Sequence, residues 1–126
     1  MRWRRAGIYA QALFYMAAGI NHFWHPAFYL AVMPDHYAHP ALMVQLSGVA
    51  EIAGGLGLLL PQTRRTAALG IAAMLIVFLD VHLYMIEHAM RFFTIPEWVL
   101  WVRLSLQFPL IAWALVYARK ERPTTY

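Results

Sequence analysis

Among the polar side chains that interrupt the apolar stretches of this chain, seven are candidates for chemistry: His22, Ser47, Glu51, Asp80, His82, Arg103 and Gln107. Such groups are costly in a hydrocarbon setting and mark function by default. Several fall on common helical faces. Ser47 and Glu51 are one turn apart, as are Arg103 and Gln107, and Asp80 and Tyr84, while Tyr15, Gly19 and His22 share a face. With these faces turned inward, all seven residues would line one polar pocket. In it Glu51 would exchange protons and Arg103 would stabilise a developing anion, the two catalytic candidates, while His22 and Gln107 would donate hydrogen bonds. The bland alternative is electrostatic glue, with Glu51 or Asp80 paired to Arg103. One cation cannot fully satisfy two carboxylates, and an unpaired ion at depth must neutralise or draw in water, which favours a role for Glu51.

The six histidines (His22, His25, His36, His39, His82 and His88) all lie in the same half of the pattern. A metal could combine His22 and His82 with Glu51 or Asp80, and haem b could bridge the two histidines. No HExxH or other tight ligand spacing supports either, so no metal ligand is assigned and a quinone is the favoured cofactor. The absence of cysteine removes thiolate catalysis, disulfide exchange, iron–sulfur ligation by this chain and covalent c-type haem attachment.

The elements that must position these groups are apolar runs. The 126 residues, enough for one domain over 1–126, are 62% hydrophobic and 13% charged, against about 25% charged in soluble domains. Lipid is therefore the expected solvent. Four runs, 6–24, 41–60, 66–88 and 98–118, approach the ~20 residues that span a bilayer. The expected fold is all-α: an integral membrane four-helix bundle. Between the first two runs, Pro26 to Pro34 is apolar but too short to span and reads as a short interfacial or re-entrant helix, with His36 to Pro40 an outer loop.

Net charge is +4, but the basic residues sit beside apolar runs, which suits anionic headgroups and not nucleic acid. Arg2, Arg4 and Arg5, then Arg64 and Arg65, then Arg119, Lys120 and Arg122 fall on one side of a four-span arrangement, with only Arg91 in the loops opposite. The positive-inside rule puts that side, and both termini, in the cytoplasm of a cell (inner) membrane protein. A basic start before an apolar run also suits a signal peptide, yet the run continues through Asn21-His22-Phe23-Trp24. Phe23, Trp24, Phe28, Tyr29, Tyr37, Phe92, Phe93, Trp98 and Trp101 would mark the outer interface, and Trp3, Trp113 and Tyr117 the inner one. At ~1.5 Å per residue, Glu51 lies about 15 Å and Arg103 about 7 Å below the outer ends of their runs, so the pocket belongs to the outer half. Ala50 with Gly54, and Ala53 with Gly57, are expected packing grooves. Pro109 should kink the fourth helix or free the carbonyl of Ser105.

Three stretches carry a resemblance. Gly19-Ile-Asn-His22-Phe-Trp-His-Pro26, followed by Phe28-Tyr29 and Pro34, resembles the end of the first helix and the next loop of small DoxX-like membrane proteins. Ser47-Gly-Val-Ala-Glu51-Ile-Ala-Gly-Gly-Leu-Gly resembles their second helix, and Leu100-Trp-Val-Arg103-Leu-Ser-Leu-Gln107 their fourth. The likeness runs from about Gly7 to Tyr117. It implies a four-helix membrane bundle and a link to quinone-coupled oxidoreductases, since the family takes its name from a subunit of a thiosulfate:quinone oxidoreductase. Bundles of this kind have also been linked to membrane-protein assembly. Two functions follow as expectations: a quinone-linked redox subunit fed by a partner protein, or a non-catalytic protein that binds a lipid, a small solute or a partner helix. A proton-coupled carrier ranks third, because four helices without an inverted repeat are few for alternating access unless the chain forms a homo-oligomer.

Overall fold

The computed structural model describes residues 2–88 and 95–119. Arg91, Phe92, Phe93, Lys120 and Arg122, expected to mark orientation and the aromatic belt, lie outside them. The described residues are helical with no strand, in five helices: α1 (Arg2–Trp24), α2 (Pro26–Ala31), α3 (Pro40–Leu59), α4 (Arg64–Glu87) and α5 (Glu97–Ala118). The boundaries have local causes. Pro26 and Pro40 open α2 and α3, where a missing N–H is harmless, and Pro61 follows the end of α3. α1 begins at Arg2, earlier than the apolar run, because helical backbone continues through the arginines once the apolar part is packed.

Three helices, α3, α4 and α5, are long and apolar enough to cross a membrane. Large apolar side chains such as Leu13, Leu46, Val49, Ile76, Val77 and Phe108 are exposed around the outside, a surface suited to lipid. α5 runs unbroken through Pro109, and the Ser105 hydroxyl turns back to donate to the Trp101 carbonyl at 2.8 Å.

The packing order is α1 against α3, α3 against α4 and α4 against α5, with α2 laid over α1 and α3; no comparable seam joins α1 to α5. The α1–α3 seam is unusually close. A Cβ on Gly19 would lie 2.6 Å from the Gly48 carbonyl oxygen, and one on Gly48 would lie 2.9 Å from Cβ of His22. Both helices therefore need glycine at the crossing. The expected grooves divide differently: Gly54 and Gly57 face Ile71 and Ala67 of α4, whereas Ala50 and Ala53 are exposed.

The main core occupies the arginine-rich half. Ile8, Ala12, Tyr15, Leu58, Ala68, Ile71, Ala72, Leu75, Ala114 and Tyr117 pack there as one cluster. At its end Arg65 Nε donates to the Ala118 carbonyl at 3.0 Å and the Arg4 guanidinium lies over the Tyr117 ring, so the starts of α1 and α4 meet the end of α5. A second, smaller cluster of Val32, Met85 and Leu100 ties the segment after α2 to α4 and α5 at the opposite end.

Candidate functional site

Above the main core the helices part around a cavity of about 270 Å³. Ligand pockets typically run from about 300 Å³ upward, so this one suits a ring or a headgroup and not a large molecule. Its walls are mostly apolar, including Phe14, Phe78, Leu106 and Leu110, with Phe28, Tyr29, Val32 and Met33 supplied by α2 and the residues after it. Phe14, Phe28 and Leu106 line the cavity and are also exposed. They come from α1, α2 and α5, so the cavity opens sideways where α1 and α5 lack a seam, toward the surface suited to lipid.

Six of the seven sequence-picked residues line this space: His22, Ser47, Glu51, His82, Arg103 and Gln107. Their partners decide what they can do. Glu51 is 5% exposed, and its Oε2 lies 3.2 Å from Nε2 of His22. The other ring nitrogen of His22, Nδ1, is 3.0 Å from the Val44 carbonyl. A carbonyl only accepts, so Nδ1 carries a hydrogen. Nε2 then faces the carboxylate either as a lone pair or as a second N–H. In the first case Glu51 must be protonated, and in the second His22 is an imidazolium. Either way the pair holds one proton between the two atoms. The contact has ion-pair distance without hydrogen-bond alignment, and Glu51 Oε2 has no other partner. The Tyr29 ring stacks on His22 at 3.9 Å between centroids, and Asn21 donates to the Tyr29 hydroxyl at 2.7 Å, which fixes that wall.

Arg103 meets no carboxylate within 4.0 Å among the described residues. The expected pairing with Glu51 or Asp80 is thus replaced by Glu51 with His22 and Asp80 with His36. An arginine that lines an apolar cavity without an acid partner keeps its five donors for whatever enters. Gln107, 4% exposed, donates from Nε2 to the Leu75 carbonyl of α4 at 2.8 Å, so its amide is fixed across the α4–α5 seam. Ser47 donates to the Met43 carbonyl one turn back at 2.7 Å, leaving its lone pairs for the cavity. The Tyr15 hydroxyl is buried without a hydrogen-bond partner among the described residues, and Tyr15 and His82 both line the space.

Asp80 is the exception, and the structure corrects its assignment. It is half exposed and lies outside the cavity. Its Oδ2 accepts from Tyr37 at 2.8 Å and sits 2.7 Å from Nε2 of His36. Burial, and after it the bond to Asp80, holds the Tyr37 phenol above its ordinary value, so it stays a donor. Asp80 thus ties the loop after α2 to α4, and acts as a strap for the cavity's cover and not as part of its lining. Its place on α4 suggested depth, but the loop between α2 and α3 reaches over to meet it.

The residues that sequence reasoning passed over are Tyr29, which walls the cavity, and Gln11, which is 0% exposed with both amide atoms unpartnered. The helical stripe Gln11, Tyr15, Gly19, His22 would have exposed Gln11, since it continues a face already recognised. No group of three or more possible metal ligands occurs among the described residues.

A family described as a domain of unknown function (DUF8561) matches residues 11–118, every cavity residue included, and the chain belongs to it. No curated protein and no solved structure matches the chain.

Proposed function

Starting from membership of a family without a known activity, we propose that this chain is the quinone-binding subunit of a membrane oxidoreductase, similar to the DoxX-like proteins. The observation that carries the reading is the sideways opening of a small, mostly apolar cavity that holds an arginine with no carboxylate within 4.0 Å among the described residues and a proton-sharing Glu51–His22 pair. A ligand entering there comes from the lipid and brings an apolar body with oxygen acceptors. A quinone ring fits that description. Arg103 would donate to one ring oxygen and stabilise the anion formed on reduction, and the Glu51–His22 pair would supply a proton. Reduction takes two electrons and two protons per quinone. A redox partner protein delivers the electrons, and the second proton follows once the pair is refilled.

The same reading places four helices across the bilayer. From Ala6 to Trp24, α1 is about 28 Å long at ~1.5 Å per residue, and Leu13, Phe14, Ile20 and Phe23 are exposed along it. It is less apolar than α3, α4 and α5 because its first turns carry Arg2, Arg4 and Arg5, which would sit among inner headgroups with Arg64, Arg65 and Arg119. Both termini would then be cytoplasmic in the cell membrane.

A second reading rests on the cavity's size and openness: a non-catalytic site for a lipid headgroup or a partner helix, in an assembly role. Titration of the detergent-solubilised protein with a short-chain quinone, followed by tryptophan fluorescence, separates the two. Saturable binding that weakens at least tenfold in Arg103→Ala supports the quinone site. Binding of lipid headgroups alone, with no quinone saturation, supports the second reading.

A further inference from the structure

The buried polar atoms that lack partners are not scattered. Among the described residues, Gln11 Nε2, Gln11 Oε1, Tyr15 Oη and Glu51 Oε2 fall on one face of α1 and the carboxylate beside it, while His82 Nδ1 lies apart. Gln11 and Tyr15 are one helical turn apart and project into the bundle with 0% and 1% exposure. One turn before Gln11, Gly7 packs against the Tyr117 hydroxyl, which accepts from Trp113 Nε1 at 3.2 Å, and Arg4 covers the Tyr117 ring from the end of the bundle. Polar atoms therefore recur about every 6 Å along α1, from the arginine-rich surface to the cavity.

Buried amide and hydroxyl groups are almost always hydrogen-bonded, and those without protein partners hold internal water. Gln11 has both a donor and an acceptor to offer, and nothing among the described residues meets either. The core cluster that Tyr15 joins includes Ala12, Ala68, Ala72 and Ala114, which occupy little volume.

We propose that Arg4, Tyr117, Gln11 and Tyr15 line a hydrated column through which the Glu51–His22 pair takes its proton from the arginine-rich end of the bundle. The inference rests on the reading of that pair as the cavity's proton donor. Each passage moves one proton from bulk water to Glu51 Oε2 or His22 Nε2, and nothing is oxidised or reduced. Water relays it by exchanging O–H bonds along the column, Gln11 fixing one water by accepting and donating together. The quinone is thereby protonated from the opposite side to the strap formed by His36, Tyr37 and Asp80, so turnover would draw protons from one compartment only.

The test follows the infrared carboxyl band of Glu51, identified by its loss in Glu51→Gln, in vesicles holding the quinone-free protein in one orientation. Orientation is read with an impermeant thiol reagent on Arg2→Cys, since the chain has no other cysteine. A pH step on the arginine-rich side should change the band, and the same step on the other side should not. Gln11→Leu should melt at a higher temperature yet slow the change at least tenfold, and Asp80→Asn should leave it unaltered. A band that follows the opposite side, that ignores both sides, or that responds equally fast in Gln11→Leu overturns the column. If Gln11→Leu does not fold, Tyr15→Phe decides by the same criterion. No quinone enters the assay, so a sided response without quinone binding would leave the column standing and remove the redox reading instead.

Discussion

The two halves of this bundle solve opposite problems with the same four long helices. In the arginine-rich half, alanines and branched residues interdigitate, with Leu58, Ala68 and Ala114 fully buried. In the other half the helices part around a cavity, and His22, Glu51, Arg103 and Gln107 sit where packing would otherwise be. The difference shows a division of labour. Apolar packing beside the proposed Gln11–Tyr15 column fixes the helix positions in one half, so the other half can keep polar groups aimed at open space. The close α1–α3 crossing at Gly19 and Gly48 is the joint between them, because it sets the His22–Glu51 distance.

That comparison can be broken most strongly from the packed side. Leu58→Ala should cost about 2–5 kcal/mol of stability, read by thermal unfolding in detergent, because Leu58 is wholly buried and its backbone cannot collapse around the void. Gly48→Ala should cost about 1–3 kcal/mol, since the added methyl meets the Gly19 carbonyl and the base of His22. It should also weaken quinone binding by moving α1 off α3, whereas Gly70→Ala, with open space around it, should do neither. On the cavity side the pattern reverses. Arg103→Ala should leave the melting temperature nearly unchanged and lower quinone affinity at least tenfold, about 1.4 kcal/mol, because the guanidinium has no carboxylate partner among the described residues. Asp80→Asn should have the smallest effect. Its bonds are half exposed, so stability should change by less than about 1 kcal/mol. Ligand dissociation should accelerate as α2 loosens, measurable by stopped-flow fluorescence.

Much of this division was written in helical periodicity. The four long helices follow the four apolar runs, with ends displaced by a few residues where arginines or prolines extend them. The residues one turn apart, Ser47 with Glu51 and Arg103 with Gln107, do line one space, because a shared face survives any rotation of the helix as a rigid body. Periodicity gives a face and not a partner, however. It could not choose between Arg103 and His22 for Glu51, since that choice depends on which helices touch, and the glycines at 19 and 48 bring α1 to α3. It misplaced Asp80 because a connecting loop, which has no period, supplies His36 and Tyr37. Gln11 escaped notice because a single amide scarcely lowers the hydrophobicity of a long run, although its burial makes it conspicuous in three dimensions.

The central claim is that the cavity holds a quinone drawn from the bilayer. Native mass spectrometry of the protein, extracted in mild detergent from its own membranes, addresses it most directly. The account predicts a bound mass equal to a membrane quinone, lost from Arg103→Ala and reduced in Glu51→Gln while both variants remain folded. A protein that carries only phospholipid, unchanged by either substitution, would contradict it.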